Sequence, residues 1–466
     1  MKSKNSLIKS IVMLFALVVL GACSNDDDGE PIVIVDPTIV DLALDNADLS
    51  ILVEALTAAN LVTTLQGDGP FTVFAPTNAA FQQFLTDNNF ASLGDIPVDV
   101  LTALLLNHVV SGENLSTGLS TGYINSLSTA GVDGRNLSLF VDTTTGVGIN
   151  GVATVTAADN QGSNGVVHIV DGVIGLPNIV DHAVANGDLS SLVGALTDGG
   201  NTTFTDLLSD AATSFTVFAP VNSAFTAFTN PNGNALDNIL SNHVIAGAAA
   251  AAAGLTNSYL NTAGTNADGD ALSIYINTDN GVTLNGSSNV AAADIVATNG
   301  IIHAVDAVID IPTVVTFAVA DPNFSTLVSA LTELTPATDF ASILSRTEGG
   351  NGDQIDPDFT VFAPTNAAFD ALASIPGEAD LTPILLHHVV AGANVRSGDL
   401  NNPGDTPATT LEGDNITITL PGTGDNIADV TDGAGNTDAG IIAVDVQAGN
   451  GVIHVLNTVL IPDTSN

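Results

Sequence analysis

The hexapeptide Phe71-Thr72-Val73-Phe74-Ala75-Pro76 returns twice, as Phe215–Pro220 and Phe359–Pro364, 144 residues apart each time. Behind each copy stand an asparagine and a phenylalanine: Asn78 and Phe81, Asn222 and Phe225, Asn366 and Phe369. A second block reads Asn107-His108-Val109-Val110, then Asn242-His243-Val244-Ile245, then His387-His388-Val389-Val390. A third closes each unit: Asn164-Gly165-Val166-Val167-His168, Asn299-Gly300-Ile301-Ile302-His303 and Asn450-Gly451-Val452-Ile453-His454. Three blocks in one order, three times over, require three tandem copies of one unit. A repeat of this length is a whole domain, since solenoid repeats run to only ~20–45 residues. The expected domains are residues 36–176, 177–311 and 312–466. Pro177 and Pro312 mark joints with little linker and a fixed φ, which restricts flexing.

Within a unit the periodicity is mixed. Leu49, Leu52, Val53 and Leu56 have helical spacing, with Ser50 or Asp48 as the expected cap. Residues 101–106 read as a second buried helix leading to the Asn-His block. Residues 71–75 are a β run stopped by Pro76, after which Asn78 is expected to cap a helix carrying Phe81 and Phe84. Short strand-like runs follow at residues 137–141, 147–149, 152–155 and 166–170, separated by Gly, Asn and Asp. Helices first and strands after predict an α+β domain.

The N-terminal stretch points to export. Lys2, Lys4 and Lys9 precede an apolar run at residues 11–20, then Leu20-Gly21-Ala22-Cys23. A positive flank, a short apolar run and small residues before a cut make a secretory signal over residues 1–22. The run falls short of the roughly 20 apolar residues that span a bilayer. Cys23 is the only cysteine, and Leu-Gly-Ala-Cys resembles the lipobox of bacterial lipoproteins, whose acylated cysteine becomes the mature N terminus. The acidic residues behind it resemble a surface-export signal, and residues 23–35 read as an acidic tether. The expected location is the cell outer membrane, lipid-anchored and surface-exposed. The alanine run at residues 248–253 is too short to be a further span.

Charge excludes some partners. The chain has 50 acidic residues against six basic ones, and three of those six are the lysines of the signal. Such a surface repels phosphate backbones, so nucleic acid is excluded as a partner. At 45% hydrophobic residues the chain can still build packed cores, and with one cysteine it must do so without disulfides.

The repeated blocks resemble the two signatures of the fasciclin (FAS1) domain family: Phe-Thr-Val-Phe-Ala-Pro-Thr-Asn-x-Ala-Phe, and Asn-Gly-Val-x-His-x-x-Asp-x-Val. The match runs from about Pro37 to Pro462. The resemblance implies a β-wedge or sandwich core flanked by helices, and an extracellular role in adhesion or matrix binding. There are departures. Asn107, Asn242 and His387 stand where animal adhesion members carry a tyrosine thought to help contact integrins. Asn457 stands where the first two units have Asp171 and Asp306, and the third carries an acidic, glycine-rich insert around residues 422–440.

The family positions Asn78, His108, His168, Asp171, Asn222, His243, His303, Asp306, Asn366, His388 and His454 read as structural. His168 with Asp171, and His303 with Asp306, are also spaced so that a carboxylate could orient a base or help hold a metal. No cysteine or third ligand recurs with the histidines, so no metal site is assigned. Gly118-Leu119-Ser120-Thr121-Gly122 matches a hydrolase elbow but lacks a preceding strand and does not recur. Asp133, the run Asn266-Ala267-Asp268-Gly269-Asp270, and residues 425–438 offer oxygens suited to weak calcium binding, though none fits a twelve-residue loop closed by glutamate. No other cofactor is expected. The function expected is adhesion, or binding of extracellular matrix, polysaccharide or surface proteins, without catalysis. The alternative is an extracellular hydrolase using a His-Asp pair.

Overall fold

The computed structural model describes residues 36–200 and 202–463. The signal, Cys23 and the tether lie outside the described residues.

Each domain is α+β, built on one seven-stranded sheet flanked by helices. In the first domain the helices are α1 (Ile39–Leu44), α2 (Ser50–Ala58), α3 (Val62–Leu65), α4 (Asn78–Asp87) and α5 (Val98–Leu106). The strands are β1 (Phe71–Pro76), β2 (Val109–Ser111), β3 (Gly122–Asn125), β4 (Ser138–Asp142), β5 (Gly148–Ile149), β6 (Ala153–Gly162) and β7 (Gly165–Val170). They lie in the order β2-β1-β7-β6-β5-β4-β3, and the other two domains repeat that order with their own strands. Only β1 and β7 run parallel; the remaining pairs are antiparallel.

The central position of β1 explains the most repetitive stretch of the sequence. One of its faces meets the helices, where Val73 and Ala75 join a core with Leu52, Leu56, Leu101 and Leu105. The other face meets the strand wedge, where Phe74 packs with Leu139, Val141, Ile149 and Val170. A strand buried on both sides reads as a continuous apolar run. Thr72 is buried too, and its hydroxyl donates to the Gly112 carbonyl at 2.7 Å.

Asn-Gly of the third block has a steric cause. Gly165 pairs with Phe71 at the start of the parallel ladder, with φ at +151°. A Cβ at Gly165, Gly300 or Gly451 would run into the carbonyl oxygen of Phe71, Phe215 or Phe359. The preceding asparagine ties three segments together. Asn164 accepts from the Ile39 N–H at 3.0 Å and donates to the carbonyls of Leu65 and Gly67, both at 2.8 Å. Asn299 and Asn450 repeat this with Ile179 and Leu208, and with Val314 and Leu344.

Two capping expectations are corrected. Thr77, not Asn78, caps α4, accepting from the Ala80 N–H. Neither Ser50 nor Asp48 caps α2, which has no side-chain cap from its own N-cap residue. Asn78 serves instead from a distance: it accepts from the Ile51 N–H at 2.8 Å and donates to the Ala47 carbonyl at 2.9 Å. Asn222 and Asn366 do the same for the equivalent helices, through Ser191 and Gly187 and through Thr326 and Pro322. The asparagine of the signature therefore caps a neighbouring helix. Among the described residues no single helix is long and apolar enough to cross a membrane.

Candidate functional site

The histidines singled out as candidates for chemistry are held by backbone. His108 follows α5, with Nδ1 2.8 Å from the Leu104 carbonyl, and its Nε2 accepts from the Ile174 N–H at 2.9 Å. An accepting Nε2 places the proton on Nδ1, which donates to Leu104. His243 bonds Ile239 and Ile309 at 2.8 and 2.9 Å, and His388 bonds Ile384 and Leu460 at 2.7 and 2.9 Å. Burial pushes all three down to about 4. Each is a neutral ring stapling a helix end to the closing apolar stretch, with both nitrogens occupied.

The third-block histidines form a second staple. His168 stacks on Phe74, its Nε2 donates to the Asn114 carbonyl at 2.8 Å, and its Nδ1 accepts from the Asp159 N–H at 3.2 Å. His303 repeats this on Phe218 with Ala250 and Asp294. His454 stacks on Phe362 and reaches the Val395 carbonyl at 2.9 Å, while its Nδ1 is buried without a partner.

The supposed His-Asp pair is not assembled. Asp171 turns to the adjacent strand and accepts from the Thr154 N–H at 2.6 Å. Asp306 accepts from Asn289 at 2.7 Å. Residues three apart on a strand face opposite sides, which separates each aspartate from its histidine. Asn457 does the same task, accepting from Gly440 at 2.8 Å. That task needs an oxygen and no charge, which accounts for the third domain's departure.

The carboxylate that does sit beside each histidine escaped the sequence reading. Asp159, Asp294 and Asp445 occupy a β-bulge, at φ +61°, +62° and +60°. Each side chain holds the start of the loop opposite: Ser116 donates its N–H and hydroxyl to Asp159, both at 2.7 Å. Ala252 and Ser397 donate to Asp294 and Asp445 at 2.8 Å. The Ser116 bonds hold the Asp159 carboxyl below its usual range. An aspartate nine residues before each histidine was the available signal.

One cluster with metal-ligand chemistry occurs among the described residues: His387, Glu412 and Asp414. His387 Nδ1 lies 3.6 Å from Glu412 and 3.2 Å from Thr410 Oγ1, while Nε2 accepts from the Gly433 N–H at 3.0 Å. A metal on Nδ1 would need the proton on Nε2, where the Gly433 N–H points. The ring is set for hydrogen bonding, not ligation. Several oxygens of the loops expected to suit calcium are taken up by protein partners. Asn266 accepts from Asp268 and Asp270 N–H, Asp429 from Thr423 and Asn426, and Asp432 from Asn436 and Ile461. The Gly-x-Ser-x-Gly stretch follows no strand and leads into β3, not a helix.

Where the domains meet, one arrangement occurs twice. At the first joint Ser138 Oγ accepts from the Val296 N–H at 2.9 Å, and Asn186 reaches the Tyr123 hydroxyl at 3.4 Å. The Tyr123 ring packs edge-on to His182. At the second joint Ser273 Oγ accepts from the Gln447 N–H at 2.9 Å, and Tyr259 donates to Asp321 at 3.0 Å. Tyr259 packs edge-on to Phe317 and beside Tyr275. Arg396 adds an ion pair to Asp270 at 2.5 Å. All three tyrosines of the chain lie in these joints. The faces left over at the two ends are polar: Asn160-Gln161 in place of Ile295-Val296, and Asp405 in place of Tyr123 and Tyr259.

Fold and site define a class: tandem α+β domains, each fastened by two buried histidines and locked to the next by a repeated joint. The fasciclin domain profile matches residues 47–177, 187–312 and 322–462. The chain belongs to the fasciclin domain family. It is 39% identical over 139 residues to the uncharacterized protein sll1735 of Synechocystis sp., covering 30% of this chain and 97% of that one. It is 28% identical over 421 residues to transforming growth factor-beta-induced protein ig-h3 of Oryctolagus cuniculus, covering 88% of this chain and 55% of that one. The chain thus spans about half the length of that relative. A solved FAS1 domain pair from the insect cell adhesion molecule fasciclin I is 21% identical, with a TM-score of 0.38, covering 57% of this chain and 97% of that one. Fasciclin domains occur in adhesion and extracellular-matrix proteins.

Proposed function

We propose that this chain is an exported adhesion protein, anchored through lipid on Cys23 at the outer membrane, that binds extracellular polysaccharide or surface proteins through its three domains. The repeated joint carries this reading. It fastens three similar domains to one another, and several weak sites carried on one chain gain by avidity. The lipobox-like Leu20-Gly21-Ala22-Cys23 supplies the anchor, and the acidic surface suits a salty exterior where charge is screened. The hydrolase alternative has no support from the geometry, because His168 and Asp171 are not brought together and each bonds backbone.

The test is cell attachment. Cells producing the wild-type chain and a Cys23→Ser chain are scored on glycan-coated and protein-coated surfaces. Wild-type cells attach, while the Cys23→Ser chain is released and its cells do not. Equal attachment by both, or by neither, defeats the proposal.

A further inference from the structure

Two clefts in matching places have no role in the adhesion reading. In the second domain one lies between the helices Ile179–Ala185 and Ser190–Leu196 and the strand Phe215–Pro220, with Val184, Leu192, Leu196 and Val217 in its lining. In the third domain Val319, Leu327, Leu331 and Val361 take the same places. The cavity volumes are about 70 and 80 Å³. The few polar side chains in the linings are already committed. Thr197 and Thr332 donate to carbonyls of their own helices at 2.8 and 2.7 Å, Thr205 donates to Thr202 at 2.9 Å, and both His243 nitrogens bond backbone. A cavity with no hydrogen-bonding group to offer stays dry and favours apolar guests. At the rim Val184 and Val319 are 65% and 66% exposed, and Leu44 at the same place in the first domain is 57% exposed.

We infer that the second and third domains each hold a slot for a slender, uncharged alkyl chain. Each slot has roughly half the ~150 Å³ of an engineered cavity that admits benzene, so a methylene chain fits and a ring does not. The rest of the guest lies along the exposed rim valine. The linings contain no lysine or arginine and no free hydrogen-bond donor to hold a carboxylate, and burying an unpaired charge is costly, which selects a neutral guest.

The test titrates the full chain with 1-decanol and with decanoate, read by native mass spectrometry and calorimetry. Decanol binds saturably, at least tenfold tighter than decanoate. Val193→Phe and Val328→Phe, which fill the two slots, each remove one bound decanol, and together they remove both while the melting temperature holds or rises. Should the phenylalanine variants misfold, Val184→Thr with Val319→Thr alters only the exposed rims and weakens decanol binding several-fold. Absence of saturable binding, binding that survives the folded double filling or is unmoved by the rim pair, or decanoate binding as tightly as decanol, overturns the inference.

Discussion

At the residue scale, His108, His243 and His388 make the fold sensitive to acid. A histidine free in the unfolded chain titrates near 6.5, while these sit at about 4 in the native state. Between those values the unfolded chain binds protons that the native chain refuses. Stability is therefore full above pH ~6.5 and falls as pH drops toward 4, by about 1.4 kcal/mol per pH unit per histidine. Urea unfolding at pH 7.5, 6 and 5 checks this; midpoints that stay level down to pH 5 contradict it. His182 makes a second prediction. It is buried at the first joint with Nδ1 unpartnered, and Phe317 holds the equivalent place at the second joint. Its Nε2 makes only a long 3.2 Å bond to the Val296 carbonyl, so removing the orphan Nδ1, a cost of ~1–3 kcal/mol, should outweigh losing that bond and leave His182→Phe more stable by about 1 kcal/mol. A lower melting temperature in the variant would show that the ring nitrogen has a role beyond packing. His108, His243 and His388 were legible as repeated positions, but their partners were not, because Leu104 and Ile174 contribute backbone groups that carry no side-chain signal; His182 does not recur and left no such signal.

At the element scale, the parallel pairing of β1 with β7 depends on a missing side chain. Gly451→Ala puts a methyl into the Phe359 carbonyl at φ +149°, so the third domain should lose 3 kcal/mol or more, on the order expected for a large core disruption. Circular dichroism melting of the variant checks this; an unchanged melt would mean that the strand ends adjust freely. The asparagine caps predict a smaller effect. Asn78→Ala removes bonds to Ile51 and Ala47 and should cost about 1–2 kcal/mol by urea unfolding, in the range of a lost helix cap. Strands with a long apolar run or clean alternation were legible, and β1 and β7 fall within a residue of their expected limits. The three-residue β2 is too short to show a period. β6 extends well past the expected residue 155, because residues 156–161 are exposed, small or polar with no apolar alternation, and pair through the bulge at Asp159. The bulge offered one weak hint, the fixed spacing from aspartate to histidine.

At the scale of the whole molecule, two congruent joints turn three domains into one piece. Their residues were not legible, since Tyr123, Ser138, Asn186 and Gln447 are isolated polar positions far apart in sequence. Scarcity was the overlooked signal: three tyrosines and no tryptophan, with every tyrosine at a joint. Tyrosine absorbance therefore reports on the joints alone. The most direct test of the locked array is small-angle X-ray scattering on the Cys23→Ser chain beside a version also carrying Tyr259→Ala and Arg396→Ala. A single rigid arrangement should account for the first, and the second should show a larger radius of gyration and a separate melting step. A first chain that already scatters as a flexible ensemble, unchanged by the two substitutions, would contradict the account.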